Sequence, residues 1–313
     1  GGVMGEQAFY IAILSSAVIA GTPILYAALG ELVTERAGVT NLGVEGMMLI
    51  GAVSGFMAAI VTGNSWIGFA AAMMAGGLMG LIHAVLTVSL RANQVVSGLA
   101  LTLFGTGLSG YLGKGYIGIP VAEPFRGVSL PLLGDIPLLG PILFRHDVLI
   151  YLSWLVVLAL WFFLSRTRAG LNLQAIGENP GAADSLGIPV FSLRYFYVIV
   201  GGMLCGAGGA YLSLASAPSW LENMTAGRGW IAVALVIFAL WNPGRALVGS
   251  YLFGGIDALG FHLQAAGVHV SHFFLQMLPY LFTIAVLTIV MARRGGRLAA
   301  PGSLGIPYDR EQR

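Results

Sequence analysis

Charge is scarce in this chain. Only 9% of its 313 residues are charged and 57% are hydrophobic, whereas a soluble domain carries roughly 25% charged residues. That shortage excludes an ordinary soluble globule and points to a polytopic membrane protein. Cysteine is nearly absent. Cys205 stands alone within an apolar run, which excludes an intrachain disulfide and leaves a small core residue. No basic residue precedes Arg36, so the first apolar run lacks the positive n-region of a cleaved signal peptide. The basic residues are scattered and the net charge is only +2, which offers no nucleic-acid surface. The phosphate loop G-x-x-x-x-G-K and the catalytic motifs H-E-x-x-H and G-x-S-x-G are missing too. The chain therefore brings neither an ATPase nor a hydrolase of those types.

What it has is glycine and long apolar runs. Its 46 glycines are about twice the usual ~7% share, which suits helices whose backbones approach closely in a membrane. Runs able to span occur at Ala8–Leu29, Val44–Val61, Trp66–Leu90, Val95–Gly113, Val148–Leu164, Tyr195–Ala215, Trp230–Trp241, Ala246–Leu263 and Phe273–Ala292. Trp230–Trp241 is short against the ~20 residues a span needs. Either it starts earlier, near Asn223, or it is a broken helix. The expectation is an all-α membrane protein of about nine spans.

Between the fifth and sixth runs lies a polar island, residues 165–193, that cannot sit in hydrocarbon. Within it Asn179-Pro180 followed by AADSL and Gly187 predicts one short helix: Asn179 the N-cap, Pro180 the first position, Gly187 the left-handed stop. It is either a docking knob or an ordinary surface loop. With the island in the cytoplasm, Arg36, Arg91, Arg166, Arg168, Arg194, Arg245, Arg293, Arg294, Arg297, Arg310 and Arg313 fall inside. Lys114, Arg126, Arg145 and Arg228 fall outside. That bias is the one cytoplasmic loops carry, and it places the N-terminus outside and the C-terminal tail inside. The loop from Lys114 to Asp147 holds Pro120, Pro124, Pro131, Pro137 and Pro141, which forbid a continuous helix. Its apolar patches fold it back onto the membrane face, as a plain connector or as a landing surface for an outside partner.

Several polar residues lie in or beside the apolar runs. Glu45 must face the bundle interior, a partner or water, or else sit at headgroup depth near its helix N-terminus. Asp257 also needs a partner. Ser97, Gly98, Leu101, Thr102 and Gly105 follow helical spacing, so they line either a pore or a helix–helix contact. His269 and His272 lack a Cys or acidic companion at ligand spacing, so no metal site is expected. His83 and His262 are expected as hydrogen-bonded packing residues.

TERAGVTNLGVEGMMLIGA, QAIGENPGAADSLGI, NMTAGRGWIAVALVIFALWNPGRALVGSYLFGG and LQMLPYL, in that order, resemble the permease subunits of bacterial ABC importers for simple sugars and nucleosides. That group belongs to the wider branched-chain amino acid and ribose permease superfamily. The match runs from about Gly21 to Pro307, and with the closing SLGIPY it looks most like the shorter permease of a nucleoside importer pair. The resemblance implies a type II permease fold in two pseudo-repeats about the central loop, here lacking the first helix. GVEGMM around Glu45 and AGRGWI around Arg228 share spacing and glycines across the two halves. It implies one transmembrane domain, residues 1–307, with a cytoplasmic tail at 308–313, in the bacterial plasma membrane.

The resemblance also implies roles. Glu178, Asn179, Pro180, Ala182, Ala183, Asp184 and Gly187 match the coupling helix that fits a groove on a separate ABC ATPase. ATP and Mg belong to that ATPase, so this subunit is non-catalytic and holds no cofactor. Asn41, Glu45, Asn93, Gln94, Ser97, Thr102, Asn223 and Thr225 are the candidates for the translocation path. Lys114, Arg126, Arg145 and Arg228 are those for docking an extracytoplasmic binding protein. A second, longer permease and membrane lipid complete the partners. The rival reading is an ion- or proton-coupled secondary transporter, with Glu45 and Asp257 as coupling carboxylates. A cysteine placed at Asp184 is expected to stay unlabelled by an impermeant reagent added outside the cell; labelling from outside would invert the topology.

Overall fold

The computed structural model describes residues 2–265, 267, 271–293 and 300–311. Arg294, Arg297, His269 and Arg313 lie outside the described residues, as do the side chains of His272 and Arg293. The helices are α1 (Gly2–Arg36), α2 (Val44–Thr62), α3 (Ser65–Ala84), α4 (Gln94–Gly113), α5 (Leu139–Leu143) and α6 (Val148–Arg166). They continue as α7 (Arg168–Glu178), α8 (Pro180–Ser185), α9 (Val190–Tyr211), α10 (Arg228–Ala239), α11 (Pro243–Ala265) and α12 (His272–Arg293). Single π-turns, Val85–Ser89 and Leu212–Ser216, extend α3 and α9.

Each of the nine apolar runs falls on a helix. Seven helices among the described residues are long and apolar enough to cross a membrane, and Arg228–Ala239 and Phe273–Val286 are shorter apolar stretches. The uncertain run is thus a broken helix, since α10 starts at Arg228 and not near Asn223. Residues 217–227 before it form turns and two isolated bridges, Ser219 with Pro120 and Trp220 with Ile117, so the chain reaches α10 without a helix. Residues 37–43, between α1 and α2, are also non-helical and mostly buried.

Glycine explains how the helices sit together. α9 packs lengthwise against α1, α2 and α3, and α1 packs on α11 as well. A Cβ at Gly51 of α2 would lie 2.5 Å from the Cα of Gly206 on α9. The face of α9 carrying Gly201, Gly202, Gly206 and Gly209 meets the backbones of α1, α3 and α2 in this way. With no hydrophobic force between helices in lipid, such backbone-close packing supplies the attraction. Cys205 is buried on this face, as expected of a core residue.

The loop after α4 is folded. β1 (Gly127–Ser129) pairs antiparallel with β2 (Arg145–Asp147), Val128 opposite His146. Phe125 N donates to Leu214 O at 3.0 Å and Val121 N to Pro218 O at 3.2 Å, which folds the proline-rich stretch onto the end of α9. α6, 19 residues long and so about 28 Å, separates this hairpin end from the α7–α8 end.

Substituting Gly206 by Leu is expected to destabilise the detergent-solubilised protein by about 1–3 kcal/mol or more, the cost of overpacking. Gly107→Ala, with nothing within 4 Å of its added Cβ, is expected to leave the thermal midpoint unchanged or raised.

Candidate functional site

Buried chain without helix must find hydrogen-bond partners, because a membrane offers no water to replace them. Segment 37–43 finds them on three helices. Glu31 Oε1 of α1 accepts from Asn41 N at 3.0 Å, and Gln94 Oε1 of α4 accepts from Thr40 N at 2.7 Å. His83 of α3 bonds Thr40 O through Nε2 and Ser97 Oγ through Nδ1, both at 2.9 Å. Thr102 Oγ1 donates to Leu42 O at 2.8 Å, and Asn41 Oδ1 accepts from Gly43 N at 2.9 Å.

Segment 217–227 is closed by one side chain. Glu45, in the first turn of α2 and 7% exposed, accepts from Thr225 Oγ1 at 2.6 Å and Gly227 N at 2.8 Å through Oε1. Its Oε2 accepts from Gly229 N at 2.6 Å. Ala226 and Gly227 have φ of +47° and +82°, a turn that aims the N–H groups of Gly227 and Gly229 at the carboxylate. Gly229 is required, since a Cβ there would lie 2.5 Å from Glu45 Cα. The two stretches that share spacing and glycines, around Glu45 and around Arg228, therefore meet face to face. At its other end α10 is tied to α1: Trp241 Nε1 donates to Glu35 Oε2 and Arg36 Nη2 to Trp241 O.

Most of the residues expected along the path take part in these contacts. Asn41, Glu45, Gln94, Ser97, Thr102 and Thr225 are all buried, and the polar atoms just named are committed to holding α1, α2, α4 and α10 together. The stripe Ser97, Gly98, Leu101, Thr102 and Gly105 is a helix contact: a Cβ at Gly98 would lie 2.6 Å from Leu42 N, and one at Gly105 would lie 2.6 Å from Gly46 O. Asn93 is exposed and caps α4, accepting from Val96 N at 3.1 Å, and Asn223 is exposed with φ +54°. His262 Nδ1 bonds Ala258 O at 2.9 Å.

Arg228 is half-buried at the start of α10: its Nη2 bonds Asp257 Oδ2 at 3.0 Å, and its Nη1 donates to Thr225 O at 3.2 Å. The pair borders two cavities, one of about 330 Å³ with Phe253, Phe261 and Tyr280 in its wall, the other of about 380 Å³ with Ser16, Ser216 and His262. Lys114 and Arg126 are exposed at the hairpin end. Arg145, also exposed, lies 3.7 Å from Asp135 and donates to Gly134 O.

At the opposite end, α8 has the expected punctuation. Asn179 Oδ1 accepts from Ala182 N at 3.0 Å, Pro180 opens the helix, and Gly187 has φ +82°. Ala182, Ser185 and Gly187 are exposed, as is Leu186 at 82%. Ala183 is instead 2% exposed and faces the core, and the Asp184 carboxylate is turned toward residues 308–310. Glu178 accepts from Gly302 N. Ala183 and Asp184 thus turn back onto the protein, Glu178 is exposed with its carboxylate on Gly302 N, and Ala182, Ser185 and Leu186 are left exposed at α8.

Sequence reasoning passed over Glu31, Glu35 and Arg194, all buried. Glu31 and Glu35 follow the apolar run Ala8–Leu29, where the sequence reads as the polar end of a helix.

Comparison with known proteins agrees with this architecture. The family described as branched-chain amino acid transport system / permease component matches residues 13–291. A Haloferax volcanii protein named provisionally as a glucose ABC transporter permease is 45% identical, over 97% of this chain and 99% of its own length. A guanosine ABC transporter permease of Bacillus subtilis is 34% identical over 96% and 97%. A second guanosine permease of the same bacterium also matches, at 22% identity over 75% and 70%. Among solved structures, an ABC transporter provisionally of the metal-chelate type, inward-facing, aligns with a TM-score of 0.50 at 14% identity over 90% of this chain and 85% of that one. At that identity it speaks for the fold alone.

Removing Glu45 leaves three donors unpaired. Glu45→Ala is expected to lower the unfolding free energy by several kcal/mol, at ~1–3 kcal/mol per unsatisfied buried group. Thr225→Ala, which leaves two bonds to the carboxylate, should be clearly milder. Equal losses in denaturant titrations of the two variants would refute the three-donor arrangement.

Proposed function

Because this chain belongs to the branched-chain amino acid transport permease family, we propose that it is the membrane-spanning permease subunit of an ATP-driven importer. It forms half of the route for a simple sugar or a nucleoside, delivered by an extracytoplasmic binding protein. A partner permease forms the other half, and a separate ABC ATPase docks on α8 and supplies the ATP and Mg chemistry. The relatives named for glucose and guanosine support a hydroxylated ring, free sugar or ribose, as the shared substrate feature. Two guanosine permeases in one bacterium support a pair of unlike subunits. The α7–α8 end then faces the cytoplasm, with the N-terminus outside, in agreement with the distribution of arginines.

The observation that carries the reading is the shape of α8. A six-residue helix capped at both ends projects Leu186 and Ala182 into solvent between two spans. An exposed leucine on a rigid turn is a knob for a partner's apolar groove. Domain closure of an ATPase pair moves the spans only if the knob is stiff. For the route itself, the cavity beside Arg228 and Asp257 offers flat aromatic walls and a paired charge, the mix that suits a base and a sugar. Lys114 and Arg126 are the exposed cations offered to a binding protein.

Leu186→Asp, a surface change that leaves the core intact, is expected to lower ATP-driven uptake at least about tenfold, the consequence of losing ~1.4 kcal/mol of docking energy. The ATPase should fall away in co-purification. Wild-type uptake of both glucose and guanosine by this variant would remove the assignment of α8.

A further inference from the structure

Residues 300–311 do not trail away from the bundle. They run beneath the α7–α8 end and touch nearly every element there. Ser303 N donates to Gly177 O at 2.8 Å and Gly302 N to Glu178 Oε2 at 3.0 Å. Arg194 of α9 donates from Nη2 to Ser303 Oγ at 3.1 Å, and Gly305 N donates to Gly38 O at 3.3 Å. Further along, Asp309 pairs with Arg91 in the α3–α4 connection. A boundary at 307/308 would cut this segment in two.

Its far end closes on α8. The Asp184 carboxylate, with only 7% of its side chain exposed, accepts from Tyr308 OH at 2.8 Å and from Arg310 Nε and Nη2 at 2.7 and 2.6 Å. Arg310 lies over the Phe191 ring, 5.7 Å from its centroid, and the Tyr308 ring meets Phe191 at 5.5 Å. The bidentate fork is the geometry that makes an arginine–carboxylate pair directional.

Two facts make this more than a tail lying on a surface. Six residues are too few for a helix to hold itself together, because nucleation is costly. A carboxylate in the last turn of a helix is also disfavoured by the helix dipole. Asp184 is the penultimate residue of α8, where its charge opposes the helix dipole and is met by Arg310 and Tyr308.

We propose that residues 302–310 form a strap that fixes the orientation of α8 for the ATPase, with Asp184 as the positioning residue through which it acts. This rests on the reading of α8 as the ATPase contact. Asp184 does not touch the ATPase. Through the strap, a displacement of α8 reaches Arg194 on α9, Arg91 before α4 and Gly38 in the buried segment 37–43, as well as the two chain ends of α8 itself.

The test uses the whole importer, with both permeases, ATPase and binding protein, in proteoliposomes, counting solute moved per ATP hydrolysed. Asp184→Asn and Arg310→Ala are each expected to lower that ratio about fivefold or more, the scale of one coupling interaction, while the ATPase still co-purifies. The exchange D184R with R310D is expected to recover at least half of the loss, which a purely local defect at either residue would not allow. An unchanged ratio in Arg310→Ala overturns the strap, and so does loss of the ATPase from that variant, which would make the strap a docking surface instead. Leu186→Asp separates the two readings. Should it bind ATPase normally, the role of α8 has failed; should it lose the ATPase while Arg310→Ala keeps its ratio, only the strap has failed.

Discussion

The carboxylate of Glu45 is the constraint on which the interior of this protein depends. It takes three hydrogen bonds from one turn, at Thr225, Gly227 and Gly229. Without it, the Thr225 hydroxyl and the N–H groups of Gly227 and Gly229 would lose their acceptor. The turn is strained as well: Ala226 stands at φ +47°, a conformation that costs an L-residue about 1 kcal/mol. Charge-assisted bonds of this kind are worth roughly 1.5–3 kcal/mol each, enough to hold that turn and still favour the fold. Negative charge at the starts of α2 and α10 is also what their dipoles prefer. One residue thus ties together two broken connections from opposite halves of the chain.

The second irregular segment shows the same economy on a wider base. Residues 37–43 are fixed by Glu31, His83, Gln94 and Thr102 from three different helices. Each bond joins residues far apart in sequence, apart from Glu31 with Asn41. Together they make α1 through α4 one block, and the glycine face of α9 completes it. The polar atoms named here are therefore mostly paired within the chain. The Arg228–Asp257 pair differs in that it borders two cavities.

How much of this was legible in the sequence follows from the range of each interaction. Apolar runs and local caps are short-range signals, so all nine helices could be placed and α8 could be drawn from Asn179 to Gly187. The start of α10 could not, because the chain before it is held by a residue 180 positions away. Ser97 and Thr102 showed their helical spacing, but spacing alone does not say whether a face meets a pore or a neighbour. Only the glycines on the same face, Gly98 and Gly105, carried that information. Ala183 and Asp184 matched a coupling motif as a block, while the fold splits the block between core, strap and surface. Glu31 and Glu35 look like the ordinary polar end of a helix until segment 37–43 is seen folded back beside them.

The arrangement of the block decides what a push on α8 can do. α8 joins α9 through Leu186–Pro189, and α9 is locked to α1, α2 and α3 where glycines let backbones touch. Interfaces of that kind have no room to slide by small amounts, so they move together or not at all. α6 and α11 bury a much smaller share of themselves than α2 and α9 do, and α12 packs on α10 and α11 at the edge of the bundle. α11 is locked to α1 in the same way, a Cβ at Gly254 lying 2.4 Å from Gly21 N, so a displacement delivered at α8 would be carried by α1, α2, α3, α9 and α11 as a unit, with α12 at its edge. Arg228 and Asp257 pair the start of α10 with α11 inside this assembly and border two cavities.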